Sequence, residues 1–414
     1  MKQVPQILEQ AEKALEHDLC DHCLGRIFAH VDTGLSNHDR GRSIRMTLNF
    51  QRILDGKVKL EHQKCWVCED VFDNVERFAD AAIDAMSRVE YHNFLIGCRV
   101  DPTIQEREER IWSEVGQDKA EPIKAELNQE IGKMIQAKTD KEVCFETPEV
   151  VALIDTRFCH VELSVAPLFI YGRYHKYSRE IPQTKWPCRM CRGKGCPRCN
   201  GTGKMYQISV QEVIGDPILK EADGREHFFH GMGREDIDAR MLGSGRPFVL
   251  EIAEPKIRDI DLAKMQQLIA ESGAGLADAV DLRFSTREEV RRVKMDDPEK
   301  VYLAHVAVHG KVNKEKVNEV VHTFKHRRIS QQTPVRVVHR RADLDREREI
   351  IDAAVESFDD DKLVLRLRTQ SGTYVKELVS GDGGRTKPNL SEELGVPCEV
   401  TALDVVEIID ITEV

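Results

Sequence analysis

The first residues, MKQVPQILEQAEKALEHDLC, space their apolar side chains at helical intervals and predict an amphipathic helix. VERFADAAIDAMSRVEY repeats that spacing, whereas NFLIGCRV is the short apolar run of a buried strand. The charged stretch over 104–138 predicts a helix with a solvated face, and VVALID and CHVELSV predict strands. From residue 166 strands dominate: HFFHGMG, PFVLEIAE, VDLRFS, VYLAHVAV, PVRVVHR, EIIDAAVESF, KLVLRLRT and TALDVVEII. DLAKMQQLIAES and KEKVNEVVHTF interrupt them as helices. Hairpin-like succession with long spacing predicts a mixed, mostly antiparallel sheet with helices packed on it, an α+β fold.

This pattern separates three segments. Residues 1–75 carry a helix and two cysteine pairs, 76–165 form a compact α/β module, and 166–414 hold the larger sheet. A chain of 414 residues fits two or three domains, and an apolar content of 41% supplies ordinary cores. No apolar run approaches the roughly 20 residues of a membrane span. The N-terminus lacks the cationic head and apolar core of a secretory signal. A cytoplasmic protein without membrane contact is therefore expected.

The net charge of −11 argues against nucleic-acid binding until its distribution is read. Residues 171–205 hold nine Lys or Arg and one acid, and FKHRRISQQTPVRVVHRR over 324–341 is a second basic cluster. The acids lie elsewhere, as in Gln105 to Glu114 and Glu356 to Asp361. Such a chain can present a basic groove to a phosphate backbone.

Eight of the twelve cysteines form four Cys-x-x-Cys pairs: Cys20/Cys23, Cys65/Cys68, Cys188/Cys191 and Cys196/Cys199. In a reducing compartment that spacing points to metal rather than disulfides. Two such turns make a closed tetrahedral zinc site, structural rather than catalytic. Cys20, Cys23, Cys65 and Cys68 are expected to form one; four buried free thiols are the plain alternative. In CRMCRGKGCPRCNGTGK the glycines could let the chain fold back around a second zinc. The alternative there is a flexible basic loop.

The most specific segment is GMGREDIDARMLGSGRPFVLEI, in which an arginine and two acids occupy a glycine-flanked turn between strand candidates. A carboxylate nucleophile acts in its ionised form and needs a cation nearby.

This segment resembles pseudouridine synthases, which share a Gly-Arg-x-Asp type turn carrying the nucleophilic aspartate. Gly233, Arg234, Glu235 and Asp236 match it, so the resemblance gives Asp236 the nucleophile's role. Asp238 would face the same side if a strand began at Glu235, and spacing alone does not separate the two. KVYLAHVAV resembles the strand whose tyrosine stacks on the target uracil, which assigns Tyr302. SGTYVKELV resembles the later motif with a tyrosine and a cation, which assigns Tyr374 and Lys376. Many relatives carry arginine at the cationic position, and a lysine pairs only as a point charge.

GRYHKYSREIPQTKWPC, GREDIDARMLGSGRPF, TPVRVVHRRADL and GTYVKELVSGDGGRTKPNLSEELG together resemble the archaeal tRNA pseudouridine 54/55 synthase family. That family begins with a zinc-bearing module and a THUMP-type RNA-binding domain. The resemblance implies a zinc-binding N-terminal module over 1–75, a THUMP-type region over 76–165 and a catalytic domain over 166–414. It implies isomerisation of uridine 54, uridine 55 or both in the T-arm loop of tRNA, with no organic cofactor. The target base must leave its stack, which a stacking ring favours. Arg173, Lys176, Arg179 and Arg340 are cations of the kind that meet phosphates, and His339 stands among them as a stacking or simply solvent-facing ring. No obligate protein partner is evident. The competing readings are a non-catalytic tRNA-binding module and another THUMP-bearing enzyme. The second would need a glycine-rich nucleotide loop after a strand, and GKGCPRCNGTGK is cysteine-bound instead.

Overall fold

A computed structural model describes residues 3–31, 33–339 and 342–409. Arg340, one of the expected phosphate contacts, lies outside them. The chain forms two compact units, Met1–Ala166 and Pro167–Val414. Among the described residues no helix is long and apolar enough to cross a membrane.

The first unit runs α1 (Gln3–Ala14), α2 (Asp21–Arg26), α3 (Asn37–Leu54), α4 (Val75–Met86), β1 (Asn93–Arg99), α5 (Pro102–Val115), α6 (Ile123–Lys138), β2 (Glu142–Val143), β3 (Val150–Asp155) and β4 (His160–Val165). Its sheet has the order β2-β1-β3-β4, parallel around β1 and antiparallel between β3 and β4. One apolar core reaches from Ala11 to Ile154 and takes in all four cysteines of the first cluster. The charged stretch expected as one helix over 104–138 is two. Gly116, at φ 96°, ends α5, and Pro122 caps α6.

The second unit runs β5 (Leu168–Lys176), α7 (Val210–Glu221), β6 (Glu226–Gly231), β7 (Ala239–Ala253), α8 (Leu262–Gly273), β8 (Ala277–Ser285), α9 (Arg287–Met295), β9 (Glu299–Val308), α10 (Lys314–Thr323), β10 (Arg327–Gln332), β11 (Asp345–Asp359), β12 (Lys362–Thr369), α11 (Val375–Ser380), β13 (Thr386–Lys387), α12 (Leu390–Leu394) and β14 (Cys398–Ile409). Its sheet follows β13-β10-β11-β12-β9-β14-β7-β5-β8, with β6 paired to β7. Among the described strands of this second sheet only β14 and β7 pair in parallel. The sheet is therefore mixed and mostly antiparallel, as its alternation predicts.

Two apolar cores cover this sheet, one under α7, α8 and α9 and one under α10, α11 and α12. Tyr302 on β9 packs against both, so it marks the seam between the halves. PVRVVHR is expected as a strand; its described residues, 334–339, form a turn. Pro334 offers no N–H to a ladder, and its carbonyl accepts from Val337 and Val338 at 2.9 and 3.0 Å. The neighbouring RRISQQ supplies the strand, β10.

Candidate active site

The turn between β6 and β7 carries Gly233, Arg234, Glu235 and Asp236. Gly233 sits at φ +73°, a left-handed conformation that favours glycine. Buried side chains pin the turn from beneath. Tyr174 donates its hydroxyl hydrogen to Glu235 Oε2 at 2.7 Å, and Arg246 Nε lies 2.9 Å from the same oxygen. Gln183 donates from Nε2 to the Tyr174 hydroxyl (2.8 Å) and to the Gly233 carbonyl (2.9 Å). Lys176 donates from Nζ to the carbonyls of Asp236 (3.2 Å) and Ile237 (2.7 Å). Glu235 thus points inward, and Asp236 and Asp238 are left facing out. The turn is not a strand, so the alternation that made the two aspartates equivalent does not apply.

Two cations meet these acids. Arg336 donates from Nη1 to Asp236 Oδ2 at 2.7 Å, and its Nε donates to the buried Glu377 at 2.6 Å. Lys376 sits 3.8 Å from Asp236 Oδ2 but 2.6 Å from Asp238 Oδ2. Burial opposes ionisation of Asp238, yet the hydrogen bond and charge of Lys376, with the charge of Arg336, together outweigh this and hold the carboxyl below the usual range. The resemblance puts Lys376 at the cationic position expected to pair with Asp236; the shorter contact comes from Arg336. Arg336 lies in the basic cluster over 324–341, but the apolar alternation around it predicts a strand, and no local signal singles it out.

Asp236, Arg336, Tyr302, Tyr374 and Lys376 line one cleft of about 250 Å³. Tyr374 caps the start of α11 and sets Lys376 on its first turn. Burial raises Tyr302 to about 12, against the opposing charge of Arg246. Lys300, two residues before Tyr302 and on the same face of β9, also lines the cleft. Its Nζ donates to Ser371 Oγ (2.8 Å) and the Pro298 carbonyl (3.1 Å), and burial pushes it down to about 8. Among the described residues no carboxylate oxygen lies within ion-pair distance of it.

The expected phosphate contacts separate. Lys176 is fully buried on the inner face of β5 and holds main-chain carbonyls, so it cannot meet a phosphate. Burial lowers its pKa. Arg173 donates to the carbonyls of Ser244 and Gly245 at 2.6 and 3.1 Å. Arg179 braces the site, donating to the carbonyls of Asp238 (2.9 Å) and Leu403 (2.8 Å) and to Asp404 Oδ1 (2.6 Å). His339 is exposed.

Both cysteine clusters bring four sulfurs within 4.8 Å of one another: Cys20, Cys23, Cys65 and Cys68, and Cys188, Cys191, Cys196 and Cys199. Donors aimed at sulfur suit thiolates. Arg26 Nη1 donates to Cys23 Sγ (3.0 Å), Gly195 N to Cys191 Sγ (3.2 Å) and Gly203 N to Cys199 Sγ (3.2 Å). In the second cluster a Cβ on Gly203 would stand 2.4 Å from the Gly193 carbonyl oxygen, so glycine allows the fold-back. Either set can hold a tetrahedral metal ion. His22 is no ligand; its Nδ1 meets Glu126 at 2.7 Å and its ring stacks on Phe72.

Residues 169–409 match the family model described as Pus10, C-terminal, and residues 78–155 the model described as Pus10 THUMP domain, archaeal. The chain belongs to the Pus10 family. Each Pus10 match lies inside one of the two units. The tRNA pseudouridine synthase Pus10 of Methanothrix thermoacetophila is 40% identical, covering 94% of this chain and 91% of its own. That of Halorubrum lacusprofundi is 40% identical over 97% and 96%, and that of Methanothermobacter marburgensis 43% identical over 94% and 95%. A crystal structure of a Cbf5–Nop10–Gar1 complex is similar at 16% identity and a TM-score of 0.33, over 57% of this chain and 48% of that one.

Proposed function

We propose that the protein is a tRNA pseudouridine synthase that isomerises uridine 54, uridine 55 or both in the T-arm loop, with Asp236 as nucleophile. The observation that carries this reading is the cleft that gathers Asp236, Tyr302, and the pair Tyr374 and Lys376 from three separated segments. The N1–C1′ bond breaks, the base turns, and a C5–C1′ bond forms. N1 gains a proton and C5 loses one, so the reaction balances without an oxidant or organic cofactor. Arg336 pairs with Asp236 and aims it, Tyr302 stacks on the flipped uracil, and Lys376 adds positive potential at the rim. Attack at the sugar or at the base ring are both compatible with this arrangement.

The two four-cysteine clusters are assigned to structural zinc, since four thiolates leave no open position for catalysis. Residues 1–75 serve as the zinc-bearing module, 76–165 as the THUMP-type RNA-binding region and 166–414 as the catalytic domain. His339 and the segment containing Arg340 are proposed to approach the tRNA backbone, and the protein to act in the cytoplasm. The test is incubation of the full chain with an unmodified tRNA transcript and mapping by carbodiimide-dependent primer stops. Stops at 54 or 55 that vanish with Asp236→Asn are expected. A transcript with no stop at either position refutes the assignment.

A further inference from the structure

Beside Asp236 a second cleft of about 190 Å³ opens, sharing Arg234, Glu235, Asp236, Arg336 and Lys376 with the first and bounded on its own side by Trp186. The Arg234 guanidinium lies 5.7 Å from the Trp186 ring centroid, and Tyr206 supports the indole edge-on at 5.6 Å. Trp186 is half-buried and Arg234 exposed. Trp186 stands at the root of the second cysteine cluster. There the Met205 N–H donates to the Trp186 carbonyl (2.9 Å), the Cys188 N–H donates to the Gly203 carbonyl (2.7 Å), and Pro187 bridges Lys204. The cluster therefore closes a hairpin whose base sets an indole beside the proposed nucleophile.

The hairpin itself is basic. Lys185, Arg189, Arg192, Lys194 and Arg198 are exposed, and among the described residues none has an ion pair. No acid occurs between Ile181 and Gln211. Five unpaired cations on a metal-type hairpin above a ring platform call for a polyanion with planar bases.

We infer that the 185–206 hairpin is a single-stranded RNA clamp: Trp186 and Arg234 stack on a nucleotide flanking the target uridine, and the hairpin cations hold the adjoining phosphates. This rests on the tRNA pseudouridine synthase reading above. One cleft receives the reacting base, and the other holds its neighbour so that the displaced strand does not spring back.

The experiment uses full-length protein and an unmodified tRNA transcript, with kcat and KM measured at several salt concentrations. Trp186→Ala is expected to lower kcat/KM roughly 5- to 100-fold, the range of one lost base stack, and Trp186→Tyr to recover most of it. The triple variant Arg189→Glu, Arg192→Glu, Lys194→Glu is expected to raise KM. It should also flatten the log–log salt dependence of 1/KM by about 2, at roughly 0.7 per lost phosphate contact on a single strand. Wild-type pseudouridine formation with Trp186→Ala and the triple variant both at wild-type kcat/KM and salt slope overturns the clamp alone. Wild-type protein that forms no pseudouridine overturns the reading beneath it, and the clamp with it.

Discussion

Arg336 donates from Nη1 to Oδ2 of Asp236 at 2.7 Å, across 100 positions of sequence. The same guanidinium is held from behind by the buried Glu377, so its fork is fixed before any substrate arrives. Such a preset cation stabilises the charged carboxylate without reorganisation during the reaction. Arg336→Ala is expected to lower kcat about 10- to 100-fold, the cost of one charge-assisted bond, with a smaller change in KM. Arg336→Lys should recover part of the loss. Steady-state kinetics with tRNA transcript checks this; a variant with wild-type kcat removes Arg336 from the site.

The two aspartates of the turn should behave differently. Asp236→Asn is expected to reduce kcat by roughly 10⁴-fold or more, as loss of a nucleophile does. Asp238→Asn should cost far less, since its carboxylate is engaged by Lys376 at 2.6 Å. Single-turnover rates on both variants decide; the reverse order transfers the nucleophile's role to Asp238.

Lys300 is a buried ammonium whose hydrogen-bond acceptors, Ser371 and Pro298, are both neutral. Its pKa falls from 10.5 to about 8 on folding. Between those values the unfolded chain binds more protons than the folded one, so this group makes stability rise with pH across that window. Below about pH 8 the destabilisation is constant. Lys300→Met is therefore expected to raise the melting temperature at pH 7 by several degrees, with the advantage shrinking from pH 8 towards 10.5. Calorimetry at pH 7 and 9.5 checks the sign; an advantage that grows with pH contradicts it.

Elemental analysis is expected to find two zinc ions per chain, one for each four-cysteine cluster. They should not leave together. Cys20, Cys23, Cys65 and Cys68 are all buried in the first unit's core, whereas Cys191, Cys196 and Cys199 are partly exposed. A chelator should remove one equivalent before any loss of helical circular dichroism, and the second only as the first unit unfolds. Release of both equivalents in one step with the fold intact argues against this difference.

Several features were legible from local pattern because their causes are local. The periods of 3.6 and 2 found α1, α4, β1, β3 and most of the long strands. The Cys-x-x-Cys turns announced both clusters, and the glycines of the second foretold its fold-back. Where one residue changed the local rule, the pattern misled. Gly116 and Pro122 split the charged helix, and Pro334 turned an apolar alternation into a loop.

Tyr302 and Tyr374 share a cleft with Asp236, but no spacing along the chain says so. That meeting depends on β9 lying between β12 and β14, and on β14 pairing in parallel with β7, beside the turn. The same assembly decided the cations. Lys176, expected to meet phosphate, is a buried clamp because β5 runs inside the sheet. Arg336, read as part of a strand, became the partner of Asp236.

The glycine-bounded turn with its aspartate was thus determined by sequence, through the backbone conformation that Gly233 permits and the chemistry of its neighbours. Which cation faces that aspartate, and which ring lies beside it, was decided by tertiary structure alone. Charge pairing acts over a few ångströms of space, and only the folded sheet brings residues 236, 302, 336 and 376 that close.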